Sequence, residues 1–489
     1  MAAIITEKFR THNARQFIED FGEANSSNYI FIGRSHSWAD DTSPPAPANS
    51  ESEEIQAYED MIALKKVATS DITHGLVRYD WDSTGNTQYD EWRDNYSSAN
   101  PTNVTGVSNF FDGRGYVITD EYKVYKCLRT GTSSGSPVNS TVKPTSVDTV
   151  NPEATGDGYL WKFMYTVSAS DVIKFVTNDF IPVKTLGAKS GVAGSGTNGE
   201  FGSTADDDGS SQWDVENASV DGAIYHYIVE QAGSGYTLDS GDSVDVAVEG
   251  DGSGAVATIN FSGGSISSVT FKDSSSYGSG YKRASFPTLD STISGISGGS
   301  GGSIKPIISP INGHGANPIE EMGGNYVIVN SRLEFGEGAG DFPTDNDFRR
   351  IGLIKNPVQS SDSTISGETS LTATSQITVD NAASISVDDI IMDSNSESAT
   401  TAKHRVVSKT NNVIKTLPVV NSGGEYVDFA NSDEVYVDGT KVADVNSDGV
   451  STAHPEMTRF SGQILYVENR GAVTRAADQI EDIKLIIEM

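Results

Sequence analysis

The stretch Gln463-Ile464-Leu465-Tyr466-Val467-Glu468, with Glu481-Asp482-Ile483-Lys484-Leu485-Ile486-Ile487-Glu488 after it, decides how the chain is read. The first run follows the turn signal Ser461-Gly462 and is β-branched and aromatic at strand length. In the second, Ile483, Leu485 and Ile487 share one face while Asp482, Lys484 and Glu488 share the other. That is the period-2 pattern of a half-buried strand. Asn469-Arg470-Gly471 and a polar loop through Arg475 and Asp478-Gln479 separate the two. Chain ends fray unless a sheet holds them, so this apolar end predicts a hairpin sewn into a core.

Outward from that hairpin, the composition points the same way. The chain has 489 residues, with 49 Gly against 16 Pro and a 36% hydrophobic fraction. Turn-rich β structure fits this better than helical bundles, and the length implies about three domains. The expected class is mainly β, multi-domain, with a few short helices and a discontinuous core that carries inserted small β domains.

Acidic residues number 67 against 34 basic, a net charge of −33. Phosphate contacts need Lys and Arg clusters, and no such run occurs, so neither nucleic acid nor an anionic membrane surface is an expected partner. The single cysteine, Cys127, rules out intrachain disulfides and fits assembly in a reducing cytoplasm. Met1 to Lys8 has no basic region followed by a long apolar one, so no signal peptide is expected, and no apolar run reaches membrane-spanning length.

Along the chain, Asn13 is read as the cap of a short helix carrying Phe17, Ile18 and Phe21, ended near Gly22. Tyr29-Ile30-Phe31-Ile32 is a buried strand that turns at Gly33-Arg34-Ser35. A second helix is expected from Glu53 to about Lys66, with Ile55, Tyr58, Ile62 and Leu64 inward. Tyr116-Val117-Ile118-Thr119 and Lys123-Val124-Tyr125-Lys126-Cys127-Leu128 form a hairpin, and Tyr159 to Tyr165 is an aromatic strand.

Residues 1–187 are assigned to the N-terminal part of the core. Residues 188–303 form an inserted Gly/Ser-rich β domain, in which Gly233-Ser234-Gly235-Tyr236 recurs as Gly278-Ser279-Gly280-Tyr281. Its first part, Ala188 to Ser211, is Gly/Ser/Thr/Asp-rich and reads as either linker or disordered. One repeat spacing is too few for a solenoid. The middle of the core is 304–358, a second β insertion is 359–456, and the C-terminal hairpin is 457–489.

Several strings resemble one known family. They are Phe31-Ile32-Gly33-Arg34-Ser35 with Trp38, Arg78-Tyr79-Asp80-Trp81, Val124 to Leu128, Gly156-Asp157-Gly158-Tyr159 with Trp161, Phe348-Arg349-Arg350-Ile351 through Asn356-Pro357, and Ser461 to Arg470. In this order they resemble the baseplate wedge subunit family of T4-like contractile-tailed bacteriophages, the eighth gene product. Neither 188–303 nor 359–455 has a recognised counterpart, so the resemblance is to a long variant with two β insertions. It implies a structural virion protein of the tail baseplate, without enzymatic activity and assembled in the host cytoplasm. It also implies a homodimer, contacts to other wedge subunits and contacts to tail-fibre attachment proteins. The residues themselves read as structural: Gly33 and Gly158 suit positive φ, the aromatics suit core or interface, and Arg78 suits an ion pair with Asp80.

No stretch offers stronger chemistry. Gly131-Thr132-Ser133-Ser134-Gly135, Gly295 to Gly299 and Gly298 to Gly302 match the G-x-S-x-G elbow in form, but all lie in Gly/Ser tracts. Asp444-Val445-Asn446-Ser447-Asp448-Gly449 matches the start of a calcium loop, yet Pro455 stands where a bidentate Glu belongs and Glu456 comes one residue late. An Asn/Asp-rich β-turn is the plainer reading. The histidines at 12, 36, 74, 226, 314, 404 and 454 show no metal spacing. His314, between Gly313 and Gly315, is the most suggestive, and a loop histidine satisfied by the backbone is its plain reading. Cys127 is read as a small buried residue. No catalytic, cofactor-binding or metal residue is therefore assigned, and no cofactor is expected. The other class of function that the composition allows is an acidic β-rich adhesin or a carbohydrate-binding or carbohydrate-active protein, against which the lack of a signal peptide counts.

Overall fold

A computed structural model describes residues 4–133, 135–192, 194, 207–334, 340–452, 454–476 and 479–489. Strands take 40% of the chain and helices 11%, so the mainly β class read from the sequence holds. The chain divides into two units. Unit 1 is Met1–Phe17, Thr73–Ile328 and Ile486–Met489, and unit 2 is Ile18–Ile72 and Val329–Leu485.

Unit 2 is built around Asn28–Gly33, every residue of which is buried. Its neighbours Met61–Lys66 and Asn346–Lys355 pair with it antiparallel, and Ser370–Thr372 and Gln463–Arg475 form the two edges of a five-stranded sheet. Phe31 stands opposite Gly352, where a Cβ would collide with its ring, so glycine there is what lets the aromatic lie flat on the sheet. The second body of unit 2 is a closed barrel in the order Ser375–Val379, Val413–Pro418, Lys403–Thr410, Ile390–Met392, Glu434–Val437, Thr440–Val450. Ile377, Val379, Ile391, Val406, Ile414, Val435 and Val445 fill it, and closure removes the exposed strand edges that invite aggregation.

Unit 1 holds the aromatic sheet Tyr116–Ile118, Lys123–Arg129, Leu160–Thr166, Glu153–Ala154. Tyr159 stacks on Trp161 at 5.4 Å and Tyr89 meets Trp161 edge-on at 5.5 Å, a geometry in which positive ring edges face negative ring faces. Phe180–Val183 pairs antiparallel with Ile72–Val77, Ile181 opposite Leu76. The Gly/Ser-rich segment forms a ribbon of Ile224–Tyr236 with Gly298–Ile308 beside the sheet Ser243–Ala247, Ser253–Ser262, Ser265–Phe271. The repeat now has a physical meaning. Tyr236 and Tyr281 are both buried, and each ring lies where a Cβ on the facing strand, at Gly299 or Gly252, would come within 2.5 Å. Their hydroxyls donate to the carbonyls of Leu289 and Val248, each at 3.2 Å.

Several expectations need correction. The first helix spans Glu7–Asp20, with Thr6 rather than Asn13 at its start: the Thr6 Oγ1 accepts from the Phe9 N–H at 3.3 Å. The second helix ends at Asp60, and Ser50 caps it. Met61-Ile62-Ala63-Leu64 is strand, because four consecutive buried residues need cover on both faces, which a surface helix does not have. Ile55, expected inward, is exposed. The two C-terminal strands do not pair as a hairpin but lie in different sheets. Alternation reveals which face of a strand is buried and says nothing of its partner. Asp444 to Gly449 lies inside the barrel strand Thr440–Val450 and not in a turn, with Ala443 and Val445 inward. Gly33 is not at positive φ; Arg34 is, at 58°, and Gly33 is required because a Cβ would sit 2.8 Å from the Asp60 carbonyl. Gly158 has φ 88° as expected. The linker expected over 188–211 falls largely outside the described residues, and so do Ser134 and Asp478.

Candidate functional site

Two clusters of charged side chains stand out, one in each unit, and each is built on strings singled out in the sequence. In unit 2 the central strand ends at Gly33, and Arg34 turns the chain in a left-handed conformation. For a residue with a Cβ this costs about 1–2 kcal/mol, so the surroundings must hold it. They do so twice over. The Arg34 N–H donates to the Asp60 carbonyl at 2.8 Å, and its guanidinium lies 3.6 Å over the Trp38 ring and 3.4 Å from the Asp60 carboxylate.

The next strand supplies Arg349 and Arg350. Arg350 is fully buried and donates to Glu53 at 2.7 Å, Asp60 at 3.3 Å and Asn469 Oδ1 at 2.9 Å. Arg349 pairs with Asp41 and Asp347, each at 2.9 Å, and donates to the Ser35 carbonyl. Trp38 Nε1 donates to the Arg470 carbonyl at 2.8 Å. The strings around Arg34, Arg349 and Arg470 are thus one packed assembly. Burial raises the Asp60 carboxyl despite Arg350 and Arg34 beside it. His36, half-buried, is pushed down to about 3, first by burial and then by the guanidinium groups of Arg405, Arg34, Arg349 and Arg350. At neutral pH its ring is uncharged.

In unit 1, Lys126 on the strand Lys123–Arg129 reaches Glu321 Oε1 at 3.2 Å and donates to the Glu321 carbonyl at 2.7 Å. The same Oε1 meets His314 Nδ1 at 2.5 Å, and Oε2 accepts from the Gly315 N–H at 2.7 Å. Burial works against the Glu321 charge, but Lys126 and His314 outweigh it and hold the carboxyl at about 2. A carboxylate only accepts, so Nδ1 carries the hydrogen. Burial keeps the His314 ring itself below its ordinary value. The Lys126 ammonium faces the rings of Trp92 at 4.6 Å and Phe110 at 5.0 Å. All three side chains are buried, so the cluster braces the sheet and offers no surface to a substrate. Nearby Lys162, pushed down to about 8 by burial, donates to the carbonyls of Thr149 and Val150.

His314 is therefore neither free-ringed nor satisfied by backbone: a side chain seven residues on holds it. Glu321 was missed because nothing in Pro318–Met322 sets it apart from the chain's other acids, and Arg405 carries no motif at all. Cys127 is buried as expected, and burial pushes its thiol well up. Arg78 and Asp80 pair at 2.9 Å, as read. His74 bonds the Gly324 carbonyl at 2.8 Å, and His404 bonds Thr416 Oγ1 at 2.8 Å; burial holds both rings near pKa 4. The histidines do not assemble, and among the described residues no group of three or more His, Cys, Asp or Glu is placed to hold a metal. Neither G-x-S-x-G match near Gly298 leads into a helix: Ser297 and Ser300 sit at the start of the strand Gly298–Ile308 or within it. Thr132–Ser133 pairs back on Ser136–Pro137.

A family model described as Phage-Gp8 (Bacteriophage T4, Gp8) matches residues 3–151. The baseplate wedge protein gp8 of Enterobacteria phage T4 is 26% identical over 210 residues, which cover 37% of this chain and 60% of the relative. The chain thus spans 60% of the length of the curated relative that it matches. Three of the strings singled out above, at Phe31–Trp38, Arg78–Trp81 and Val124–Leu128, fall inside the matched residues. The chain is similar to the Gp8 baseplate wedge family, and residues 3–151 carry the likeness.

Proposed function

We propose that this chain is a structural virion protein of a phage tail baseplate, assembling as a homodimer with other wedge subunits of a contractile tail. The observation that carries this is the family match over 3–151. It falls on residues whose side chains are spent on internal ion pairs and aromatic stacking, as a scaffold requires. In this reading the role is mechanical and not catalytic, assembly takes place in the host cytoplasm, and fibre-attachment proteins are further partners. The core is the part common to the family, while 188–303 and 359–456 are additions at its surface.

Two measurements test this. Tail baseplates purified from the virion that encodes the chain should contain it, and recovery in another part of the particle, or in none, sinks the reading. Light scattering on the isolated 52.0 kDa chain should give about twice that mass, and a strict monomer at micromolar concentration counts against the homodimer.

A further inference from the structure

Two of the chain's exposed large apolar side chains flank Tyr58 in unit 2. Ile55 is 48% exposed and Phe460 43%. Ile55 lies one turn before Tyr58 and Glu59 on the helix Glu51–Asp60, on the face those two share. The Tyr58 ring meets Phe460 edge-on at 5.7 Å, Tyr426 meets Phe460 at 5.8 Å, and the Tyr426 hydroxyl donates to Glu59. The four side chains make one apolar and aromatic surface.

The backbone is strained to keep the Phe460 ring there. Its φ is 62°, at the third position of a turn closed by the Ser461 N–H on the Thr458 carbonyl at 3.2 Å. Glycine or asparagine suits that position. A bulky residue is an outlier there, and a ring nearly half in water recovers little of the cost by packing. The free charges beside the surface are of one sign. Glu53 and Asp60 are spent on Arg350, while Glu51 and Glu54 stay exposed. Arg459 is spent on the Tyr426 ring, at 4.8 Å, and on the Pro418 carbonyl, at 3.4 Å.

We propose that Ile55, Phe460 and the rings of Tyr58 and Tyr426, with Glu51 and Glu54 at the rim, dock a basic segment of another polypeptide that carries an apolar anchor. Binding energy concentrates on aromatic anchors that lose water at the centre of a face, and rim charges select the partner's sign. A second copy of this chain does not fit, since two such faces set acid against acid. Nucleic acid and anionic lipid carry the wrong sign. The proposal rests on the chain being a virion protein and not on its place in the baseplate.

A benzophenone photo-crosslinker at Ile55 of the full chain, in cells infected by the virus that encodes it, records what covers the surface. Mass spectrometry of the crosslinked peptide should return a segment of another chain with net positive charge and an apolar residue. A synthetic peptide of that sequence should bind the isolated full chain, more weakly as salt rises. Phe460→Gly should weaken that binding about tenfold, and Glu51→Gln with Glu54→Gln should weaken it less. Phe460→Gly should also melt within about 2 °C of the native chain, because glycine relieves the turn. A lower melt with unchanged binding means that the ring serves the fold, and overturns the proposal. Crosslinks to a second copy, to an acidic segment or to nothing overturn it too. If the basic peptide binds but the chain is recovered outside the baseplate, the baseplate reading fails and the docking site stands.

Discussion

In unit 1, Lys126, Glu321 and His314 close on one another inside an aromatic wall, and each carboxylate oxygen has its donor. In unit 2, Arg34, Arg349 and Arg350 share Asp41, Glu53, Asp60 and Asp347 unevenly, and Ser35 Oγ and Arg34 Nε are buried without a partner. Both clusters grow from family-like strings on sheet strands. The first is complete without any other molecule; the second has valence left over. Charge burial is costly in either place, so the difference marks which cluster offsets that cost in full and which leaves buried polar atoms without a partner.

The largest expected effect comes from breaking the complete cluster. Glu321→Leu leaves Lys126 buried and unpaired, and should cost about 3–5 kcal/mol in denaturant unfolding. Adding Lys126→Met should return most of that, since an apolar pair of similar volume often replaces a buried ion pair without loss. A double variant as unstable as the single would mean that the strand itself, and not the charge, needs Lys126.

Acid probes the same cluster from the other side. The Glu321 carboxyl is held at about 2 in the folded chain against an ordinary 4.5. A lowered carboxyl pKa gives stability that is whole above pH 4.5 and disappears as pH falls through 2. The gap in stability between the native chain and Glu321→Gln should therefore close over that window. A gap that stays constant from pH 6 to pH 2 would break the assignment of the charge to Glu321.

Arg350→Met should cost less, about 2 kcal/mol. Glu53 and Asp60 keep some access to water, and Arg34 still faces Asp60. Thermal melts of this variant beside Glu321→Leu rank the two clusters directly. If Arg350→Met is the worse of the two, unit 2 depends on its ion pairs more than the geometry implies.

How much of this was legible differs between strand and site. Alternation at Asp482-Ile483-Lys484-Leu485 and the uninterrupted run Tyr29-Ile30-Phe31-Ile32 reported their burial truly, because side-chain period follows from backbone geometry. Partner choice was not legible. Gln463–Arg475 and Glu481–Glu488 are neighbours in sequence and lie in different sheets. Met61–Lys66 was read as helix because Tyr58, Ile62 and the residues before them mimic a 3.6 period up to the point where Met61 to Leu64 are all buried. The arginine cluster was visible in part: Arg34 and Arg349-Arg350 stood in the strings, while the acids that hold them, Asp41, Glu53 and Asp60, carried no motif. A single acidic residue in an acidic chain carries no sequence signal of that kind.

The smallest effect expected is the most telling for the comparison. Arg405→Gln removes a guanidinium that makes one backbone bond and no ion pair among the described residues. Its loss also relieves repulsion from Arg34 and from His36 when that ring is charged. The two changes oppose each other, so stability in chloride should move by no more than about 0.5 kcal/mol. Near-neutrality is what an unspent charge predicts, and a structural charge such as Arg350 does not share it. A loss above about 2 kcal/mol would show that Arg405 is engaged in holding the barrel, and the two clusters would then be alike.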